Sequence, residues 1–129
     1  MTLIQIQELL QAALISERGA SDIDIKFAKA SDLMSDVLAF SQPFSDRNTL
    51  LITGLTNKQV VRTCEIAGVG AIIFVRGKNP STETIELAQD CSIPLLTTRL
   101  KMFEACGILY INGIKCAHPS EDTKNGNAV

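Results

Sequence analysis

Three short groups of residues could do chemistry in this 129-residue chain: Thr53 and Gly54, Arg76 and Gly77, and Thr97, Thr98 and Arg99. Each group directly follows a compact apolar run. In an open α/β sheet they would therefore meet beyond the carboxyl ends of neighbouring strands, where such sheets place their ligands. Backbone amides, two guanidinium groups and the helix N-termini just beyond are what holds a phosphate or a carboxylate. Taken singly, these are turn and capping residues; an anion site is suggested only by all three loops together. Asp32, Ser35 and Asp36 form a second polar group. Two carboxylates at that spacing need a third ligand to hold a cation, and none is visible, so helix capping and solvation explain them.

Other chemistries lack their parts. His118 is the only histidine and lies in a polar tail, which leaves no histidine triad and no metal cluster. GVGAII at 68–73 has its glycines before a strand, whereas a dinucleotide loop must follow one and open a helix. No phosphate-binding G-x-x-x-x-G-K-[ST] run occurs, so no kinase or ATPase chemistry is available. Cys64, Cys91, Cys106 and Cys116 contain no C-x-x-C pair and read as buried thiols, with Cys116 the exposed one. No metal and no cofactor is expected, and the chain reads as a non-enzyme.

The elements that position these loops follow from hydrophobic period. Residues 2–14 place Leu3, Ile6, Leu10 and Ala13 on one helical face, with Thr2 as N-cap. Ile23, Ile25 and Phe27 alternate with Asp22, Asp24 and Lys26, predicting a half-buried strand. Ser31 opens a short helix whose inner face holds Leu33, Val37 and Phe40. TLLIT at 49–53 and AIIFV at 71–75 are unbroken apolar runs, as expected of strands covered on both faces. Between them, Thr56 and Gln59 have capping-box spacing, and Val60, Val61, Cys64 and Ala67 face inward. Asn79-Pro80 starts another helix, Ile93–Leu96 is a further strand, and Thr98 caps a helix to about Cys106. Leu109–Ile111 reads as a last short strand. Strands alternating with helices across short loops predict a three-layer α/β/α domain with a central, mainly parallel sheet. Residues 1–19 belong to that domain as its N-terminal helix, 20–114 form its body, and 115–129 are expected to be a disordered polar tail.

Composition excludes several roles. Twelve Lys and Arg against fourteen Asp and Glu give a net charge of -2, with no basic run to neutralise phosphates, so nucleic acid is not an expected partner. Polar residues interrupt the apolar stretch from Leu3 to Ile15, which falls short of the roughly 20 residues of a membrane span. No basic stretch leading into an apolar one opens the chain, so a cytoplasmic location is expected.

Four segments carry a family resemblance: ASDLMSDVLAF (30–40), LLITGLTN (50–57), AGVGAIIFVRGKNPSTETIELAQDCSIPLLTT (67–98) and FEACGILYINGI (103–114). Together, over about 20–114, they resemble the DRTGG domain in its small stand-alone form, as found in anaerobic bacteria and archaea. That domain also occurs within some phosphotransacetylases and pyrophosphatases, and is similar in fold to the N-terminal domain of HPr kinase/phosphorylase. Its Asp-Arg appears here as Leu55-Thr56-Asn57 and its Thr-Gly-Gly as Val75-Arg76-Gly77, so only Gly77 of the name-giving residues carries over. The resemblance implies a regulatory or ligand-sensing module, generally a homodimer, that binds a nucleotide or other phosphorylated metabolite. An alternative is an adaptor for a larger redox or hydrogenase-type enzyme. For a symmetric interface, the candidates are a sheet edge or an apolar helix face such as Met102, Phe103 and Ile108.

Overall fold

A computed structural model describes residues 1–20, 23–39 and 47–117. The elements run in the order α1 (Leu3–Leu9), β1 (Ala13–Ser16), β2 (Phe27–Ala30), α2 (Met34–Ala39), β3 (Thr49–Thr53), α3 (Lys58–Ala67), β4 (Ala71–Phe74), α4 (Thr82–Asp90), β5 (Leu95–Thr97), α5 (Met102–Ile111) and β6 (Lys115–Cys116). Six strands form one sheet in the order β1-β5-β4-β3-β2-β6. All neighbours are parallel except β1, which runs antiparallel along the free edge of β5. The expected mainly parallel three-layer α/β/α architecture is the one observed.

Strand alternation sorts the core into two layers. Leu50 and Ile52 of β3, with Ala71 and Ile73 of β4, turn to one face and pack under α1 and α5 through Leu3, Ile6, Ala105 and Leu109. Leu51, Ile72 and Phe74 turn to the other and meet Val37 of α2, Val60, Val61, Cys64 and Ala67 of α3, and Ala88 of α4. A strand covered on both faces needs apolar residues at every position, which explains the unbroken runs of β3 and β4. α3 ends at Gly68, whose φ of 76° is the left-handed helix stop that glycine adopts without a Cβ penalty. Among the described residues no helix is long and apolar enough to cross a membrane.

Several expected boundaries move. The first helix stops at Leu9 rather than 14, because Gln11 turns at φ 50° and Ala13–Ser16 leave to pair with β5. Thr2 is its N-cap as expected, in a capping box with Gln5. β2 starts only at Phe27; before it, Asp24 makes a single bridge to Thr2, while Ile25 is still buried. Asn57 rather than Thr56 caps α3, and Ser81 rather than Asn79-Pro80 caps α4. Met34–Ala39 is helical and Val37 buried, but Leu33 is exposed, and Phe40 and Asp22 lie outside the described residues.

Residues 109–111 are the last turn of α5, not a strand. Leu109 is core-facing, and the apolar run from Met102 is long enough for ten helical residues. The polar tail also starts later than 115: Lys115 and Cys116 pair in parallel with Phe27 and Ala28 at the sheet edge, and Ala117 is buried. Backbone pairing to an open edge does not require apolar side chains, so composition could not show it. Residues 118–129, His118 included, lie outside the described residues.

Candidate functional site

The carboxyl ends of β2, β3, β4 and β5 meet at one edge of the sheet, and all seven expected residues lie there. Thr53 and Gly54 end β3 and are buried; Arg76 and Gly77 follow β4 and are exposed. At the end of β5, Thr97 is half-buried, Thr98 buried and Arg99 exposed. The loops touch: a Cβ placed on Gly77 would lie 3.9 Å from Cγ of Arg99, and one on Gly54 would lie 2.5 Å from a guanidinium nitrogen of Arg76. The end of the Arg76 side chain therefore lies over Gly54, in space that only a residue without a side chain leaves open.

Most amides expected to face a ligand are already bonded. The Gly54 amide donates to Oδ1 of Asp32 at 2.8 Å, and the Thr53 hydroxyl donates to the same oxygen at 2.9 Å. The Arg76 amide donates to the Leu100 carbonyl and that of Gly77 to the Thr98 carbonyl, both at 2.8 Å, and the Thr98 amide donates to Phe74. Hydroxyls are used likewise: Thr97 donates to the Lys78 carbonyl and Thr98 to the Leu10 carbonyl, each at 2.7 Å. Thr98 is thus a tie between the end of α1 and the sheet; the α5 N-cap position falls to Lys101, whose amide donates to Glu104. Arg76, Arg99 and Lys78 add long cationic side chains to the donors at this edge.

A tight turn presents Arg76 and Lys78. Arg76 (φ 61°) and Gly77 (φ 68°) are both left-handed, and the Lys78 amide donates back to Val75 at 3.3 Å. Two successive residues of positive φ closed by that bond have the pattern of a type I′ turn, in which glycine is at home and arginine is strained. Behind the turn stands Asp32, which sequence reasoning assigned to helix capping. It lies before α2, and its carboxyl is held below the ordinary 3.8, first by the Gly54 amide. The Thr53 hydroxyl and the charges of Arg76 and Lys78 act in the same direction, against a desolvation penalty. Asp32 and Lys78 were legible by one rule: extending the carboxyl-edge criterion to β2, and by one residue after β4, would have included both.

A concavity elsewhere in the fold has no counterpart in the sequence reading. A cavity of about 240 Å³ opens between α5 and the β2–β6 edge, lined in part by Ala28, Ala30, Ile52, Cys106, Leu109 and Cys116. No group of three or more metal-ligating side chains occurs among the described residues. Of the cysteines, Cys64 is buried and pushed up to about 12 by desolvation; Cys116 is exposed, and Cys91 and Cys106 are half-buried.

No protein-family model and no curated protein matches the sequence. A solved structure does match: the CBS and DRTGG domains of the regulatory region of Clostridium perfringens pyrophosphatase, complexed with its activator diadenosine tetraphosphate. The TM-score is 0.61 at 18% identity, over 97% of this chain and 58% of that one. This chain thus has the α/β fold found within that CBS and DRTGG region, of which it spans little more than half.

Proposed function

We propose that this protein is a non-catalytic regulatory module that senses a nucleotide or other phosphorylated metabolite at the carboxyl edge of its sheet. The observation that carries this reading is the placement of Arg76, Lys78 and Arg99 on two adjoining loops, at a strained turn with Asp32 beside it. Three cations presented by two adjoining loops suit the clustered charges of a phosphate chain, and with most loop amides satisfied internally, recognition falls to their side chains. That a fold of this kind serves a pyrophosphatase regulatory region bound to a dinucleotide supports the same ligand class.

A thermal-shift panel of nucleotides, dinucleoside polyphosphates and inorganic polyphosphates tests it. A ligand present at about a hundredfold its dissociation constant stabilises by about 2.7 kcal/mol, a readily measured rise in Tm. Arg76→Ala is expected to abolish that rise without unfolding the protein. No shift with any member of the panel, or an undiminished shift in Arg76→Ala, overturns the proposal.

The module acts as a homodimer in this reading, and the outer face of α5 supports it. Phe103, Tyr110 and Ile111 are 89%, 72% and 81% exposed on one side of that helix. Gly107 lies between them, and a Cβ placed there would meet nothing within 4 Å, so the surface is open at that point. Of the expected interface residues only Phe103 points outward; Met102 and Ile108 pack against the core. Three such side chains present about 500 Å², more than half of the roughly 800 Å² each partner contributes to a standard interface. The same face also suits the alternative, an adaptor docking on a larger redox-type enzyme. Light scattering that finds a strict monomer, together with a stoichiometric enzyme partner from native cells, would favour the adaptor.

A further inference from the structure

Two of the four cysteines share one cavity. Cys106 comes from α5, and Cys116 from the two-residue strand β6. Register places them on the same side of the sheet. Cys116 is the partner of Ala28 in the parallel pairing of β6 with β2, and neighbours across a parallel pair project to the same face. Ala28 packs against the layer beneath α1 and α5, and Cys106 packs against that same layer from above. Both thiols are unpaired cysteines, one exposed and one half-buried. Burial raises the Cys106 thiol, and the neighbouring charge of Cys116 raises it further, as expected of two sulfurs at the wall of one small space.

We propose that Cys106 and Cys116 are a dithiol pair that forms a reversible intramolecular disulfide, closing the cavity between α5 and the sheet edge. The oxidant is a low-molecular-weight disulfide of the glutathione class. The exposed Cys116 thiolate attacks one sulfur of that disulfide, breaking its S–S bond and releasing one small thiolate, which takes up a proton. The Cys106 thiolate then attacks Sγ of Cys116 in the mixed disulfide and releases the second small thiol. The two cysteines are oxidised by two electrons and the small disulfide is reduced to two thiols. Bridging requires the two backbones to lie within about 7 Å. β6 can adjust to this, because it is held by only two residue pairs at the outer edge of the sheet.

The pair is independent of the proposed ligand site, and peptide mapping tests it on the full chain. Trypsin cuts after Lys101, Lys115 and Lys124, so Cys106 and Cys116 fall in different peptides, 102–115 and 116–124. After native incubation with oxidised glutathione and alkylation in denaturant, those two peptides are expected to be found linked. Cys64 and Cys91 are expected to be found alkylated, and dithiothreitol to restore both pair thiols. Cys106→Ser is expected to leave Cys116 as a glutathione mixed disulfide, and Cys116→Ser to slow modification of Cys106 at least tenfold. A wild-type protein that stops at the Cys116 mixed disulfide, or whose linkage joins two chains or uses Cys64 or Cys91, overturns the proposal.

Discussion

Arg76 is held at φ 61°, where its Cβ crowds the backbone, and its guanidinium lies over Gly54 beside Asp32. Such strain costs about 1–2 kcal/mol in a non-glycine residue and persists where the surroundings enforce it. Arg76→Gly is therefore expected to raise stability in urea by up to about 1 kcal/mol while losing the thermal response to phosphorylated ligands. A variant that loses both stability and response would show that the arginine braces the fold. Asp32 makes an opposite case. Its lowered carboxyl favours the folded state wherever it is ionised, so its contribution is complete above 3.8 and disappears as pH falls through the still lower folded-state value. Asp32→Ala is expected to cost about 1 kcal/mol at pH 7, a modest figure because the carboxylate is exposed. Urea midpoints at pH 7 and pH 3 check this: the difference between wild type and variant should shrink at the lower pH.

At the scale of elements, the loops are held by caps and ties rather than by the strands alone. The Asn57 side chain accepts from the Val60 amide at the start of α3, the helix that leaves the Gly54 loop. Asn57→Ala is expected to destabilise by about 1 kcal/mol, measurable as a lower urea midpoint with an unchanged slope. Gly70 is held to a stricter condition, since any Cβ there would collide with the carbonyl of Arg47, just before β3. Gly70→Ala must move backbone and should cost more than Asn57→Ala in the same assay. Gly54→Ala differs in kind: its Cβ meets only the mobile end of Arg76, so ligand response should fall with little loss of stability. The elements carrying these loops were legible because their apolar positions repeat with the right period. α1 and α5 were misjudged in extent because ALIS and LYI are short apolar runs that suit either helix or strand.

For the whole molecule, the outer face of α5 is the surface on which the proposed self-association is tested. A helix apolar on every side is normally covered on every side, yet this one leaves Phe103, Tyr110 and Ile111 in solvent. If the proposed homodimer forms through this face, Tyr110→Glu combined with Ile111→Glu should make it monomeric in light scattering without altering the far-UV spectrum, because both side chains are largely exposed.

Sequence alone determined the fold class, the apolar runs of the two central strands, the buried Cys64 and the end of the sheet where polar loops gather. Each of these depends on local period or on the order of elements. Tertiary structure decided which donors at that edge remain to meet a ligand, because the bonds that consume the others span the chain. Thr98 reaches Leu10, 88 residues away, and Thr53 reaches Asp32, 21 residues away. Tertiary structure likewise moved Lys115 and Cys116 from the tail to the sheet and set Cys116 across a cavity from Cys106. Edge pairing is made by backbone groups that every residue carries, so no side-chain pattern announces it.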